Sequence, residues 1–153
     1  MRLPKFARAT VILAGSAFAL VAAPGAQAGA TTQSFPDVPS LAYGGLCGTS
    51  IQTWADTSPD WPGRAVLNVR ANPVAGVGSG SHPFAPLCEV LTTVSWRNLD
   101  TGATGVYTNN VVTGIYGSIQ YSLFQDTGPG RVDVTVTTNH ASVPAHGSFV
   151  VPG

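Results

Sequence analysis

The feature that most constrains the fold is the alternation of apolar and polar residues over short segments bounded by glycine and proline. The segment RVDVTVTT at 131–138 is the clearest case, because Val132, Val134 and Val136 share one face. Alternation with period two is typical of a β-strand that buries one face. No stretch of twelve residues has the apolar spacing of a helix, and frequent Gly and Pro would interrupt one. The sequence therefore predicts an all-β chain.

Turn-forming residues separate seven predicted strands at intervals of about ten residues. The strands are 48–54, 64–71, 87–98, 105–113, 115–124, 131–138 and 147–151. Because each must bury its apolar face on another strand layer, we expect a small antiparallel β-sandwich, with a small barrel as the alternative. The number and spacing of the strands resemble the architecture of immunoglobulin domains. In the fifth strand, the alternation places Ile115, Ile119, Tyr121 and Leu123 inward.

The first 28 residues have the three parts of a secretory signal peptide. A basic start is followed by an uncharged apolar run at 11–23, and small residues precede a cleavage position before Gly29. A retained membrane anchor is the alternative, but a spanning helix needs roughly 20 apolar residues. We therefore expect a secreted or extracellular protein that has no membrane attachment after cleavage.

Without residues 1–28, the 153-residue chain has 125 residues, enough for one domain. Residues 29–45 lack periodicity and are predicted to form a flexible N-terminal lead-in. Residues 46–153 are predicted to form the β-sandwich domain. Within that domain, the stretch NPVAGVGSGSHPFAP at 72–86 has no strand pattern, so it is either a mobile loop or a functional one.

Charge excludes two classes of partner. After residue 28 the chain keeps four arginines and no lysine against seven carboxylates, a net charge of −3. Scattered arginines do not form the basic patch that nucleic acids or anionic lipids require. The composition resembles that of small exported proteins of GC-rich bacteria. We expect neither nucleic acid nor a membrane surface to be the partner.

The two cysteines, Cys47 and Cys88, are predicted to form one disulfide, as is usual in exported domains. A reactive thiol or a metal ligand is the alternative, but there is no CxxC motif or histidine cluster to support it.

Two Asp-Thr-Gly triplets raise the question of catalysis. They occur in NLDTGATG at 98–105 and in QDTGPG at 125–130. The string LDTGAT resembles the active-site loop of the retroviral-type aspartic proteases. Those proteases have a single such loop in each chain, whereas the pepsin-like family has two in a chain more than twice as long as this one. Because aspartic proteases use two carboxylates that share one proton, the resemblance implies Asp100 and Asp126 as a catalytic pair.

The same triplets also suit turns. An Asp side chain can bond to the backbone two residues on, and Gly102 or Gly128 can take the positive φ of a hairpin bulge. The polar Arg97 and Asn98 before the first triplet, and Pro129 after the second, depart from the protease pattern. The sequence therefore favours two hairpin turns and no catalytic residue.

The histidines His82, His140 and His146 lack the neighbouring acidic or thiol groups that a metal site needs. No G-x-S-x-G elbow and no phosphate-binding loop occurs in the sequence. We expect no metal and no cofactor.

Aromatic residues supply the remaining functional signal, since aromatic side chains often anchor binding surfaces. Trp54, Trp61, Tyr107 and Tyr116 are candidates for exposure, and we take Trp54 and Trp61, together with the 72–86 loop, as the predicted binding surface. The expected function is a non-catalytic binding or structural module of the cell envelope or extracellular space, with an envelope protein or glycan as partner. The alternative is a small secreted hydrolase, in its sharpest form an aspartic-type peptidase.

Overall fold

The computed structural model describes residues 29–42, 47–74, 87–139 and 142–153. In these ranges the chain forms β-strands and no helix, which confirms the all-β prediction, but there are nine strands and not seven. They are β1 (Thr31–Ser34), β2 (Val38–Ala42), β3 (Cys47–Thr57), β4 (Arg64–Ala71), β5 (Cys88–Asn98), β6 (Thr104–Thr113), β7 (Tyr121–Asp126), β8 (Gly130–Thr138) and β9 (Ala145–Val151). Nowhere in the described ranges is there a helix that could cross a membrane.

The strands form two antiparallel sheets. In the first, of five strands, β1 and β2 both pair with β3, which is followed by β4 and β7. In the second, of four strands, the order is β6, β5, β8, β9. Apart from β1, whose four side chains are exposed, the strands send alternate side chains into the space between the sheets, so the arrangement is sandwich-like with one core.

The two additional strands come from the segment predicted to be a flexible lead-in. β1 pairs with the C-terminal half of β3 and β2 with its N-terminal half. Between them, the buried ring of Phe35 lies over Gly147 of β9 and 6.3 Å from the ring of Phe149. Four- and five-residue strands are too short to show alternation, and their order comes from pairing with the long β3. The prediction also covered residues 43–45, which lie outside the described residues.

The predicted fifth strand needs correction. Only its second half is a strand, because a tight turn between Gly114 and Gly117 precedes β7, and Gly117 has φ of 83°. Ile119 is 71% exposed and Leu123 is 48% exposed, although both were expected to face inward. Apolar and polar residues alternate through the turn by coincidence, so the pattern predicted one long strand. β7 itself lies at the edge of its sheet, where side chains are only partly buried.

The disulfide is confirmed. Cys47 begins β3 in the first sheet and Cys88 begins β5 in the second, with their Cα atoms 6.1 Å apart. Both residues are fully buried. The bond therefore joins the two sheets covalently at one end of the core.

Trp96 connects the sheets near the end of β5 that is away from the disulfide. Its ring lies directly on Gly105, its partner in β6, where any added Cβ would overlap the indole. The indole Nε1–H donates to Oε1 of Gln125, on β7 of the other sheet, at 3.0 Å. A glycine at 105 is thus required by the close approach of the tryptophan ring.

Candidate binding face

Trp54 lies on the outer face of the first sheet. Its neighbours in β3, Thr53 and Ala55, are buried in the core, so alternation turns the Trp54 side chain away from it. Trp54 stands opposite Ser34 of β1 on one side and Asn68 of β4 on the other. The indole is half-buried among these neighbours.

Trp61 reaches the same side of the sheet from the turn between β3 and β4. The turn is closed by bonds from Trp61 N to Ser58 O at 3.2 Å and from Arg64 N to Trp61 O at 3.1 Å. The Trp61 ring meets the Phe124 ring edge-on, with centroids 5.2 Å apart. Phe124 is paired with Val66, which is on the outer face of β4.

These residues form one surface. We call the side chains of Trp54, Trp61, Val66 and Phe124 the aromatic face. Since directly paired residues of a sheet point to the same side, register places Trp54, Val66 and Phe124 on one side of the sheet. Val66 is directly opposite Phe124, and Trp54 is opposite Asn68, the next outward residue of β4. The sequence prediction named the two tryptophans as binding residues, but it did not identify Phe124, because the tight turn before β7 hid the strand's register.

Arg64 supports Phe124 from the edge of the aromatic face. Its guanidinium carbon lies 4.4 Å from the centre of the Phe124 ring, the geometry of a cation–π contact. The Arg64 Nε atom is also 2.8 Å from Oδ1 of Asp126. Both side chains are largely exposed, so the ion pair adds little stability, but it orients the guanidinium.

A polar network lies beside the aromatic residues and spans four strands. At its centre is Asn68, which is only 1% exposed although it is on the outer face. Its Nδ2 donates to Asp56 Oδ2 at 2.8 Å, and its Oδ1 accepts from Ser122 Oγ at 2.6 Å and Gln120 Nε2 at 3.0 Å. Asp56 also accepts from Thr32 Oγ1 at 2.6 Å. The network links the outer side chains of β1, β3, β4 and β7 next to the aromatic face.

The described start of the 72–86 loop, residues 72–74, lies away from this surface. Residues 75–86 lie outside the described residues. Asn72 bonds through its backbone N to Ser50 O at 2.9 Å, at the opposite end of the sheet from Trp61. The eight residues of β4 separate the two ends, about 25 Å at the rise of a strand.

The two tyrosine candidates, Tyr107 and Tyr116, do not belong to the aromatic face. Tyr107 is buried, at 8% exposure, on the inner face of β6. Burial raises the pKa of the Tyr107 hydroxyl, against a hydrogen bond to Asn109 that lowers it. Tyr116 is 86% exposed, but it lies in the tight turn that packs on Ala71 and Pro73, at the end of the sheet away from Trp61.

Both Asp-Thr-Gly triplets form turns with glycine in the left-handed region, as predicted: Gly102 has φ of 79° and Gly128 has φ of 73°. The first triplet is in the hairpin between β5 and β6. The second is not in a hairpin, because it connects β7 of the first sheet to β8 of the second. The hairpin prediction was therefore correct for the first triplet only.

Asn98, fully buried, ties the two triplets together. Its Oδ1 accepts from the backbone N of Asp100 at 2.9 Å and of Thr101 at 3.0 Å. Its Nδ2 donates to three carbonyl oxygens of the second turn, those of Thr127 at 2.9 Å, Gly128 at 3.2 Å and Pro129 at 3.0 Å.

The carboxylates themselves have different partners. Asp100 Oδ2 accepts from the backbone N of Arg131 at 2.9 Å, whereas Asp126 pairs with Arg64. Both aspartates are exposed. The two turns are thus linked through the side chain of Asn98 and backbone groups. The carboxylates bond elsewhere, that of Asp100 to Arg131 N and that of Asp126 to Arg64.

Histidine and metal chemistry have little support here. His146, on β9, has Nδ1 within 3.1 Å of Thr135 Oγ1, its cross-strand neighbour. His82 and His140 lie outside the described residues. Among the residues that the structure does describe, no group of three or more His, Cys, Asp or Glu side chains could hold a metal ion.

Comparison with known proteins finds no matching protein family, no matching curated protein and no matching solved structure.

Proposed function

We propose that this chain is a non-catalytic binding module of the cell envelope or extracellular space, and that its aromatic face holds a glycan. The observation that carries the proposal is that Trp54 and Trp61 lie on one side of a sheet with Phe124, which comes from a strand much later in the chain. Aromatic rings at a rigid surface are the usual anchors of recognition. An envelope protein is the other partner that such a surface suits.

The composition of the face favours a neutral glycan. Sugar rings present apolar C–H faces, which pack on aromatic rings, and hydroxyl groups, which need hydrogen-bond partners. Asp56 and Gln120 lie in the network beside the rings and retain acceptor capacity. Asn68 has both of its side-chain groups occupied, so it positions the face and does not contact the ligand.

Export and architecture belong to the same proposal. The signal peptide at 1–28 accounts for export, and a disulfide across the core is typical of proteins outside the cytoplasm. An immunoglobulin-like sandwich is supported by the path of the chain, which changes sheet between β4 and β5, between β6 and β7, and again between β7 and β8. Such a scaffold holds a surface rigidly.

The alternative, an aspartic-type peptidase using Asp100 and Asp126, has less support. That chemistry needs two carboxylates close enough to share one proton. Here Asp126 is engaged by a guanidinium and Asp100 by the backbone N of Arg131, both at exposed positions. Each carboxylate is thus engaged with its own partner and not with the other carboxylate.

Substitution of the tryptophans tests the proposal. We expect Trp54→Ala and Trp61→Ala each to weaken retention on purified insoluble cell-wall glycan by about tenfold, because a buried aromatic anchor commonly contributes that much or more. Tyr116→Ala is the matched control, since it removes an exposed aromatic ring from the other end of the sheet, and it should bind as the wild type does. Retention is measured by co-sedimentation.

Two treatments of the wall material separate the candidate partners. Retention that survives protease but is lost after glycan hydrolysis supports the glycan. Retention lost after protease indicates an envelope protein and contradicts the glycan. Equal retention of all three variants would show that the aromatic face is not the binding surface.

A further inference from the structure

The rings of the aromatic face lie in two groups and not in one continuous row. Trp54 of β3 is the first group, and the pair of Trp61 and Phe124 is the second. We call these groups the first and the second platform. On β4, which runs between β3 and β7, the outward residues beside them are Val66, which is aliphatic, and Asn68, which is 1% exposed. The strand between the two platforms therefore offers no aromatic surface.

The register of the sheet gives the separation of the two platforms. Trp54 is paired with Asn68, whereas Phe124 is paired with Val66, two residues earlier on β4. The positions of Trp54 and Phe124 thus differ by two strands across the sheet and by two residues along it. From the usual spacing of strands and rise per residue, the separation is about 12 Å, along a line oblique to the strands.

A separation of this size exceeds one pyranose ring and is comparable to the repeat of an extended β-1,4-linked glycan. Successive units of such a chain are turned over, so every second unit presents the same face to a flat surface. Aromatic rings pack on the apolar C–H face of a sugar. The two platforms therefore suit the first and the third of three successive units, with the middle unit lying across β4.

Hydrogen-bonding groups lie on both sides of the line between the platforms. Asp56 of β3 is on one side, and Ser122 of β7 is on the other. The two carboxylate oxygens of Asp56 accept from Thr32 and from Asn68, one bond each, so both oxygens retain acceptor capacity. Ser122 Oγ donates to Asn68 and accepts from Gln120, which leaves it one lone pair. Sugar hydroxyl groups at both edges of a bound chain would thus find acceptors.

We propose that the aromatic face binds an extended β-1,4-linked glycan of at least three units, with the first and the third unit on the two platforms. The chain crosses β4 obliquely, between Trp54 and the pair of Trp61 and Phe124. This inference rests on the proposed glycan binding and adds to it the linkage and the minimum length of the ligand. A glycan whose chain coils would contact only one platform at a time.

Oligomers of β-1,4-linked N-acetylglucosamine, from one unit to six, test the length requirement. These oligomers are neutral and extended, and their dissociation constants are measured by nuclear magnetic resonance titration. The trisaccharide should bind about tenfold more tightly than the disaccharide, because only the trisaccharide reaches both platforms at once. Oligomers of α-1,4-linked glucose, which coil, are the matched ligands and should show no such step between two and three units.

The tryptophan variants test whether each platform holds one end of the trisaccharide. In Trp54→Ala and in Trp61→Ala, the trisaccharide should bind about tenfold more weakly. The disaccharide should lose only about twofold, because it can use either platform. The step between two and three units should therefore fall to about twofold in both variants. Tyr116→Ala is the control and should keep the full step, since Tyr116 lies at the other end of the sheet.

The outcomes separate this inference from the proposed function. If the wild type binds the disaccharide and the trisaccharide equally, and both tryptophan variants bind them more weakly, glycan binding stands and the arrangement on two platforms is overturned. An equal step with the α-1,4-linked oligomers overturns the requirement for an extended chain. If no oligomer binds, this inference is wrong, and glycan binding itself fails only if retention on the insoluble wall glycan is also absent.

Discussion

Replacing Cys47 and Cys88 together by alanine should lower the free energy of unfolding by about 4 kcal/mol. The disulfide closes a loop with a sequence separation of 41 and joins the two sheets, so its loss frees the unfolded chain considerably. The two buried sulfur atoms would also leave space in the core. Because domains of this size are stabilised by about 5–15 kcal/mol in all, we expect the variant to be close to unfolding at 37 °C.

Denaturant unfolding of the oxidised wild type and the variant measures this difference. The wild type in excess reductant is the matched control, since it loses the same bond without a change of sequence, and it should fall to a similar stability. A loss below about 1 kcal/mol would show that the sheets are held together without the disulfide.

Asn98→Ala should lower the free energy of unfolding by about 3 kcal/mol, because each buried polar group left without a partner costs about 1–3 kcal/mol. The Asn98 side chain serves two backbone N–H groups and three carbonyl oxygens in the turns that hold the triplets. Asn98→Asp should be similarly damaging, since its carboxylate keeps the acceptor but faces the three carbonyl oxygens without a donor.

Asn139→Ala is the control for the loss of an asparagine. Asn139 is exposed, and its side chain makes one bond, to the backbone N of Leu91. We expect this change to cost about 0.5 kcal/mol, within the range of surface substitutions. Equal losses for Asn98→Ala and Asn139→Ala would contradict the role given to Asn98. Both are measured by denaturant unfolding.

The parts of the fold that depend on local pattern could be predicted from the sequence. Three valines at alternate positions in β8 identified a strand with one buried face, and the structure buries all three. The disulfide followed from the presence of two cysteines in a sequence whose first 28 residues predict export. In both cases the residue type and its position in the sequence are enough to predict the structural feature.

The parts of the fold that depend on pairing between distant segments could not be predicted from the sequence. β1 and β2 are ordered by β3, and nothing in four or five residues reveals that partner. Asn98 looks like an ordinary turn residue, because the carbonyl groups that it serves arrive about 30 residues later in the chain. The aromatic face depends equally on the register of β4 with β7, which brings Phe124 beside Trp61.

The repeated triplet has a physical explanation that does not involve catalysis. In both copies the glycine has positive φ, which other residues adopt only with strain. Both aspartates sit beside an exposed turn and bond to a nearby partner. The two glycines thus meet the same demand for positive φ, whereas the two aspartates have different partners.

The most direct test of glycan binding at the aromatic face uses the three tryptophans of the chain as probes. Each gives one indole N–H signal in a nitrogen–proton correlation spectrum. On titration with soluble fragments of cell-wall glycan, the signals of Trp54 and Trp61 should shift and reach saturation. The Trp96 signal should stay in place, because that indole is buried and donates to Gln125. A spectrum in which neither the Trp54 signal nor the Trp61 signal shifts, at fragment concentrations that release the protein from insoluble glycan, would contradict the proposed face.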